Sequence, residues 1–157
     1  VGNYACICMA ARYGNTGAID WLMPQVAPGH RNRVLHRALM YASSGGQVGL
    51  VERILGAFAT RNPHAILQSV LHSLIAYAVA YARGAMVDHL LQRAEALCNA
   101  HEKYKPRPVI TPSEQLTQAA IRGHVHMLVK LLSNRFFSSA LKPNDLARAL
   151  LGACQFG

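Results

Sequence analysis

Between Val34 and Leu55 the apolar positions keep a helical step, lose it once, and regain it. Val34, Leu35, Ala38, Leu39 and Ala42 recur at helical spacing and form one stripe. Ser43-Ser44-Gly45-Gly46 interrupts the stripe with a turn signal. Val48, Val51, Ile54 and Leu55 then resume the same spacing. The pattern predicts two helices joined by a tight turn. Gly46 allows the left-handed backbone that ends the first helix. The small pair Ala42-Ser43 lets the two helices approach closely, where bulkier residues would hold them apart. Neither helix is long enough to be stable alone in water, so packing must hold the pair together.

The arrangement returns along the chain. It reads AARYGNTGAIDWLM from Ala10, ASSGGQVGLVERIL from Ala42, AVAYARGAMVDHLL from Ala78 and AAIRGHVHMLVKLL from Ala119, and it begins again as ACQFG at Ala153. The turn position, the anchor of each block, falls on Gly14, Gly46, Ala82, Gly123 and Gly157. Successive anchors lie 32, 36, 41 and 34 residues apart, near the period of about 33 that one class of stacked repeat shows. First helices carry Ile7, Leu39, Ile75, Leu116 and Leu150 at one register. Second helices carry Ile19 with Leu22, Val51 with Leu55, Val87 with Leu91, and Leu128 with Leu132. Each pair has apolar surface on more than one side, and stacking against its neighbours would bury it.

Helix breakers fall between the blocks. They are Met23-Pro24, Ala27-Pro28-Gly29, Asn62-Pro63, Lys105-Pro106-Arg107-Pro108, Thr111-Pro112 and Pro143. Thr111 or Ser113 is placed to cap the helix that follows, and Pro143 or Asn144 to start the last one. Arg93–Pro112 is the longest insertion, and Ala94 to Lys103 can extend the second helix of the third block. The repeats therefore span about 3–30, 31–62, 66–104 and 112–138, with a partial one at 143–157.

Composition narrows the class. Hydrophobic residues make up 52% of the 157 and charged residues 15%, which is a folding chain and not a disordered one. The longest apolar stretch, near Val70–Ala82, is interrupted by His72 and Ser73. It falls short of the roughly 20 apolar residues of a membrane span. The start at Val1 without Met and the end inside a repeat are read as a fragment of a longer protein. Cys6, Cys8, Cys98 and Cys154 form no CxxC, so buried thiols in a reduced, cytoplasmic setting are expected. The net charge of +9 favours an acidic partner surface, a nucleic acid or an anionic membrane. The densest basic groups are Arg31, Arg33 and Arg37, then Lys103, Lys105 and Arg107. Neither is a long tract, and both read first as a solvated face.

The stretch AAIRGHVHMLVKLLSN from Ala119 resembles the centre of an ankyrin repeat. So does Ala10-Ala11-Arg12-Tyr13-Gly14-Asn15 followed by Ile19 and Leu22. The resemblance covers four blocks and the start of a fifth. It implies an all-α chain of helix-turn-helix units stacked into a curved α-solenoid that mediates protein–protein contacts. Such modules occur in scaffolds and in effectors that act on host proteins, which places an effector in the host cytosol. The family's Thr-Pro-Leu-His opening is replaced by Ala5-Cys6-Ile7-Cys8, Arg37-Ala38-Leu39-Met40, Ser73-Leu74-Ile75-Ala76, Glu114-Gln115-Leu116-Thr117 and Arg148-Ala149-Leu150-Leu151. The Asp and Gly of its hairpin finger are missing, and Ala82 stands where Gly is expected. The expected array is therefore all-helical, without β-hairpins. A helical solenoid of another class is the structural alternative.

Stacked first helices would line a concave side, and the residues just before the small pairs and anchors would face it. These positions nominate Met9, Tyr13, Tyr41, Tyr77, Tyr81 and Arg122 as partner-binding residues. Tyr and Arg are types enriched at binding hot spots. The competing arrangement packs the tyrosines between repeats with their hydroxyls in water. His124 and His126 fall in one turn without a third ligand nearby, fewer than a structural zinc site needs. The resemblance implies a turn-stabilising role for His124. No phosphate loop, HExxH or GxSxG occurs. The expectation is a protein-interaction module without catalysis, cofactor or metal. A basic solenoid binding nucleic acid or another anionic surface is the alternative. Alignment of Arg12, Arg37, Arg83 and Arg122 on one face favours that alternative, and clustered tyrosines favour the module. The register itself makes a prediction. Gly123→Val forces a β-branched residue into the left-handed region, at a cost of about 1–3 kcal/mol. A melting temperature equal to that of the parent would refute the register.

Overall fold

The computed structural model describes residues 2–59, 64–100 and 111–156. Among them are helices and turns, and no strand. The first pair is α1 (Gly2–Arg12) with α2 (Thr16–Leu22), and two short 3-10 turns at Met23–Gln25 and Pro28–His30 lead out of it. The second pair is α3 (Arg31–Gly45) with α4 (Val48–Ala59), and the third is α5 (His64–Ala80) with α6 (Gly84–Ala100). The fourth pair is α7 (Pro112–Ile121) with α8 (Val125–Ser133). A short α9 (Arg135–Ser139) and a final α10 (Pro143–Phe156) follow. The prolonged second helix of the third block is seen as far as Ala100. The breakers at Asn62-Pro63 and from Lys105 to Pro108, the basic group at Lys103, Lys105 and Arg107, and the anchor at Gly157 lie outside the described residues.

All four anchors within the described residues have left-handed backbone: Gly14 at φ 71°, Gly46 at 77°, Ala82 at 55° and Gly123 at 65°. At each one the same two hydrogen bonds close the helix. The anchor N–H donates to the carbonyl three residues back (Gly14 to Ala11, Gly46 to Ser43, Ala82 to Val79, Gly123 to Ala120). The next N–H donates five residues back (Asn15 to Ala10, Gln47 to Ala42, Arg83 to Ala78, His124 to Ala119). This is the Schellman ending of a helix. The small pair of the sequence pattern supplies both acceptor carbonyls, so pattern and turn are one feature. Ala82 carries a Cβ in a region that penalises it.

The first helices pack against one another in chain order, α1 on α3, α3 on α5, α5 on α7, and α7 on α10. Each also packs against the second helix of its own pair where one follows. Ile7, Leu39, Ile75 and Leu116 are buried along this row. Val51, Leu55, Val87 and Leu91 are buried beneath it. Neighbours approach closely at Gly45, where an added Cβ would stand 1.9 Å from the Arg12 carbonyl oxygen. Ser43 Oγ donates to the Leu74 carbonyl at 2.8 Å inside the core, so the small residue also carries a bond between pairs.

A second bond between pairs recurs at the residue after the anchor. The side chain that follows each anchor reaches a carbonyl at the end of the previous first helix. Gln47 Nε2 donates to Arg12 at 3.3 Å, Arg83 Nε to Ser44 at 2.8 Å, and His124 Nε2 to Ala80 at 3.2 Å. These carbonyls have lost their helical partners. In the first pair the equivalent residue, Asn15, caps α2 by accepting from Ala18 N. Thr111 is the N-cap residue of α7, without a capping side-chain bond. Pro143 opens α10, and Asp145 accepts from Lys142 N at 2.8 Å.

Three expectations are corrected. Leu150 is 67% exposed and not a core residue, because α10 turns Ala149 into the core and packs Gly152 towards Thr117 and Ile121 of α7. Leu132 is exposed because α8 buries Met127 and Leu131 instead. Of the four thiols only Cys8 is buried, while Cys6 and Cys154 are exposed.

The turns separate strain from crowding. Gly45→Ala must displace the Arg12 backbone and should lower stability by about 1–3 kcal/mol, as overpacking does. An alanine at Gly123 would meet nothing within 4 Å, so it should cost only the left-handed strain of about 1–2 kcal/mol. Ala82→Gly relieves that strain and should raise stability by about 0.5–1 kcal/mol after the added chain entropy is subtracted. Urea unfolding of the three variants checks the order.

Candidate functional site

The stacked first helices leave a trough across their exposed side. Its largest part, about 550 Å³, is lined by Tyr4, Ala5, Cys8 and Met9 of α1, Arg37, Met40 and Tyr41 of α3, and Tyr77 of α5. A second part, about 310 Å³, continues from Tyr77 over Tyr81 to Glu114 and Gln118 of α7 and Arg122 at its C-terminal end. A narrower part, about 180 Å³, runs from Tyr4 and Cys8 to His30, Arg33 and Arg37. Tyr77 lines the first and second parts, and Tyr4, Cys8 and Arg37 line the first and third. The trough crosses four helices because their equivalent residues, separated by whole turns, point the same way.

Met9, Tyr41, Tyr77 and Tyr81 are between 38 and 43% exposed. Met9, Tyr41 and Tyr77 lie on their helices and Tyr81 in the turn after α5. Tyr13 is 72% exposed and stands at the turn beyond the trough. Arg122 and Arg12 approach the Tyr81 ring, with guanidinium carbons 5.7 and 5.4 Å from its centroid. These distances fit cation–π attraction. The nominated residues thus divide into a trough group (Met9, Tyr41, Tyr77, Tyr81, Arg122) and Tyr13 outside it. Tyr4, Cys8, Met40 and Arg37 were not nominated, and the structure adds them to the walls. Arg37 sits four residues before Tyr41, so helical spacing was the signal for it, while Met40, one residue before, carries no such signal.

Charge is sorted between the two sides. Three acidic residues on the second helices bind bases of the next pair. Asp20 of α2 pairs with Arg53 of α4. Glu52 of α4 binds His89 at 2.7 Å and Arg93 at 2.8 Å, both on α6. Asp88 of α6 binds Lys130 of α8 at 2.6 Å. The acid lies six residues past its anchor and the base seven past the next, so the ladder repeats with the fold. Each exposed rung contributes about 0–1 kcal/mol, and its larger effect is to occupy the acids. On the trough side Glu114 is the acidic wall residue, and it accepts from His72 Nε2 at 2.9 Å. Arg12, Arg33, Arg37 and Arg122 make no ion pair with any described residue. Arg83 stays apart from them, held on the Ser44 carbonyl.

The test set by the four arginines therefore divides. Arg37 and Arg122 line the trough, Arg12 joins Arg122 at Tyr81, and Arg83 caps a helix end. The tyrosines occupy the same surface. His124 caps α5 through Ala80, and its ring lies 6.1 Å from that of His126. No cluster of three or more metal-ligating side chains occurs among the described residues. No helix among them is long and apolar enough to cross a membrane. Burial pushes the Cys8 thiol up from its ordinary range, and the Arg37 charge opposes this only in part.

Comparison with protein-family models, curated proteins and solved structures gives no significant match. The trough is therefore read from its own chemistry. That chemistry makes a prediction for the thiols, because alkylation needs an exposed thiolate. Iodoacetamide near neutral pH should modify Cys6 and Cys154 well before Cys8. Peptide mass spectra showing Cys8 labelled first would contradict its burial.

Proposed function

We propose that this chain is a protein-interaction module, a solenoid of stacked ankyrin-like helix pairs that takes a partner on its first-helix face. The observation that carries the reading is the trough itself. It places Met9, Tyr41, Tyr77 and Tyr81, all part-exposed, on one surface spanning four helices. Half-seated tyrosines offer a large apolar ring and a hydroxyl at little cost in side-chain freedom, which suits a binding surface. The walls hold no buried carboxylate or activated nucleophile, and binding uses them better than catalysis does. In this reading the chain works in the cytoplasm as part of a scaffold or an effector, without cofactor or metal.

A specific observation keeps a second reading in view. Arg33, Arg37 and Arg122 line the same trough, and such cations could also hold the phosphates of a nucleic acid. The two readings separate in one experiment. The chain and a Tyr41→Ala, Tyr77→Ala, Tyr81→Ala variant are used to capture ligands from cell lysate, with and without nuclease. The module reading expects protein bands that the variant loses and nuclease leaves intact. Capture that nuclease abolishes, that falls steeply with salt, and that survives the tyrosine changes would replace it with the nucleic-acid reading.

A further inference from the structure

The sorting of charge is the feature that the interaction reading does not absorb. The second-helix acids Asp20, Glu52 and Asp88 are engaged by bases of neighbouring pairs. Asp145, on the last first helix, is buried and turned onto the Lys142 N–H. Asp20, Glu52, Asp88 and Asp145 are thus engaged away from the trough walls, where Glu114 is the acidic residue. Along the trough Arg33 and Arg37 stand at one end and Arg122, with Arg12, at the other. Between them lie Ala5, Met9, Met40, Tyr41, Ala76, Tyr77 and Ala80. The surface is cationic at both ends and apolar in the middle.

We infer that the trough binds an acidic segment of a partner protein. The segment's carboxylates would meet Arg37 at one end and Arg122 at the other, and apolar side chains between them would lie on Met9, Tyr41 and Tyr77. This inference rests on the interaction reading and deepens it by naming the partner's chemistry. Guanidinium groups present paired donors that match a carboxylate, and none of these four is ion-paired with a described acid. A polyphosphate chain fits less well. It carries charge at every step and favours a continuous cationic track, whereas here the cations are separated by alanine, methionine and tyrosine. Glu114 adds a negative charge beside Arg122, which would repel a uniform polyanion. An amphipathic acidic segment can place a polar or basic residue there.

An unbiased library of random twelve-residue peptides, displayed on phage and selected on the whole chain, tests the inference without a known ligand. Three targets are used in parallel: the parent chain, Arg37→Gln with Arg122→Gln, and Tyr41→Ala with Tyr77→Ala. Circular dichroism melting verifies that the variants fold. The parent should select peptides enriched in Asp and Glu beside apolar residues, and the arginine variant should lose that enrichment. A synthetic peptide from the parent's selection should bind the arginine variant about tenfold more weakly, as expected for two part-exposed charge pairs. Replacing its acids by Asn and Gln should have the same effect. Peptides that depend on the tyrosines but show no acidic enrichment would overturn the acidic-segment inference and leave the interaction reading standing. Selection that yields no peptide, or peptides indifferent to both variants, would overturn both. A labelled oligo-dT probe that binds the chain and is displaced by salt, while no peptide does so, would also overturn both.

Discussion

Everything in the stack follows from how four first helices end. A Schellman turn needs a residue in the left-handed region and two carbonyls, five and three positions before the residue that follows it and the anchor respectively. Placing Ala10-Ala11, Ala42-Ser43, Ala78-Val79 and Ala119-Ala120 at those carbonyls has two effects. The backbone turns sharply into the second helix, and the surface beside the turn stays thin enough for the next pair to come close. At Gly45 the closeness reaches backbone contact distance with Arg12. The row of first helices, and with it the trough, depends on this spacing.

Once the ends are fixed, two series of bonds repeat with the same period. On one, Gln47, Arg83 and His124 return to carbonyls that the turn has stripped of partners. The satisfied groups lie in part-buried surroundings, where an unpaired carbonyl would be costly. On the other, acids of one second helix hold bases of the next. Neither series uses a single residue type. Glutamine, arginine and histidine do the first task, and the second accepts Arg53, His89 or Lys130. What is kept is position and hydrogen-bonding capacity.

This explains what could be read from the chain alone. The helical class and the anchors were legible because apolar spacing and left-handed turns are local. Met9, Tyr41 and Tyr77 could be assigned to one face because they hold one register on successive helices. The bonds between pairs were harder to see, since their partners lie from 31 to 44 residues apart. That separation changes wherever a connection lengthens, and only a residue's place relative to its anchor reveals it. The adjacent acid and base in Asp88-His89 or Glu52-Arg53 look like a neutral local pair in sequence. In the fold each binds outward, to a different neighbour. Leu150 illustrates the opposite failure: its register matched the buried positions, but the last helix meets its neighbour through Ala149 and Gly152 instead.

The ladder on the second helices also acts at a distance. With its acids paired on the other side, the unpaired guanidinium groups of Arg33, Arg37 and Arg122 leave positive charge along the trough. An anionic body diffusing nearby would be turned and drawn towards that side before any contact forms, which raises the rate of productive encounter. Such steering weakens within about a Debye length of 8 Å at physiological ionic strength. The residues that set the speed of arrival would then include Asp20, Glu52 and Asp88, none of which any ligand in the trough would touch.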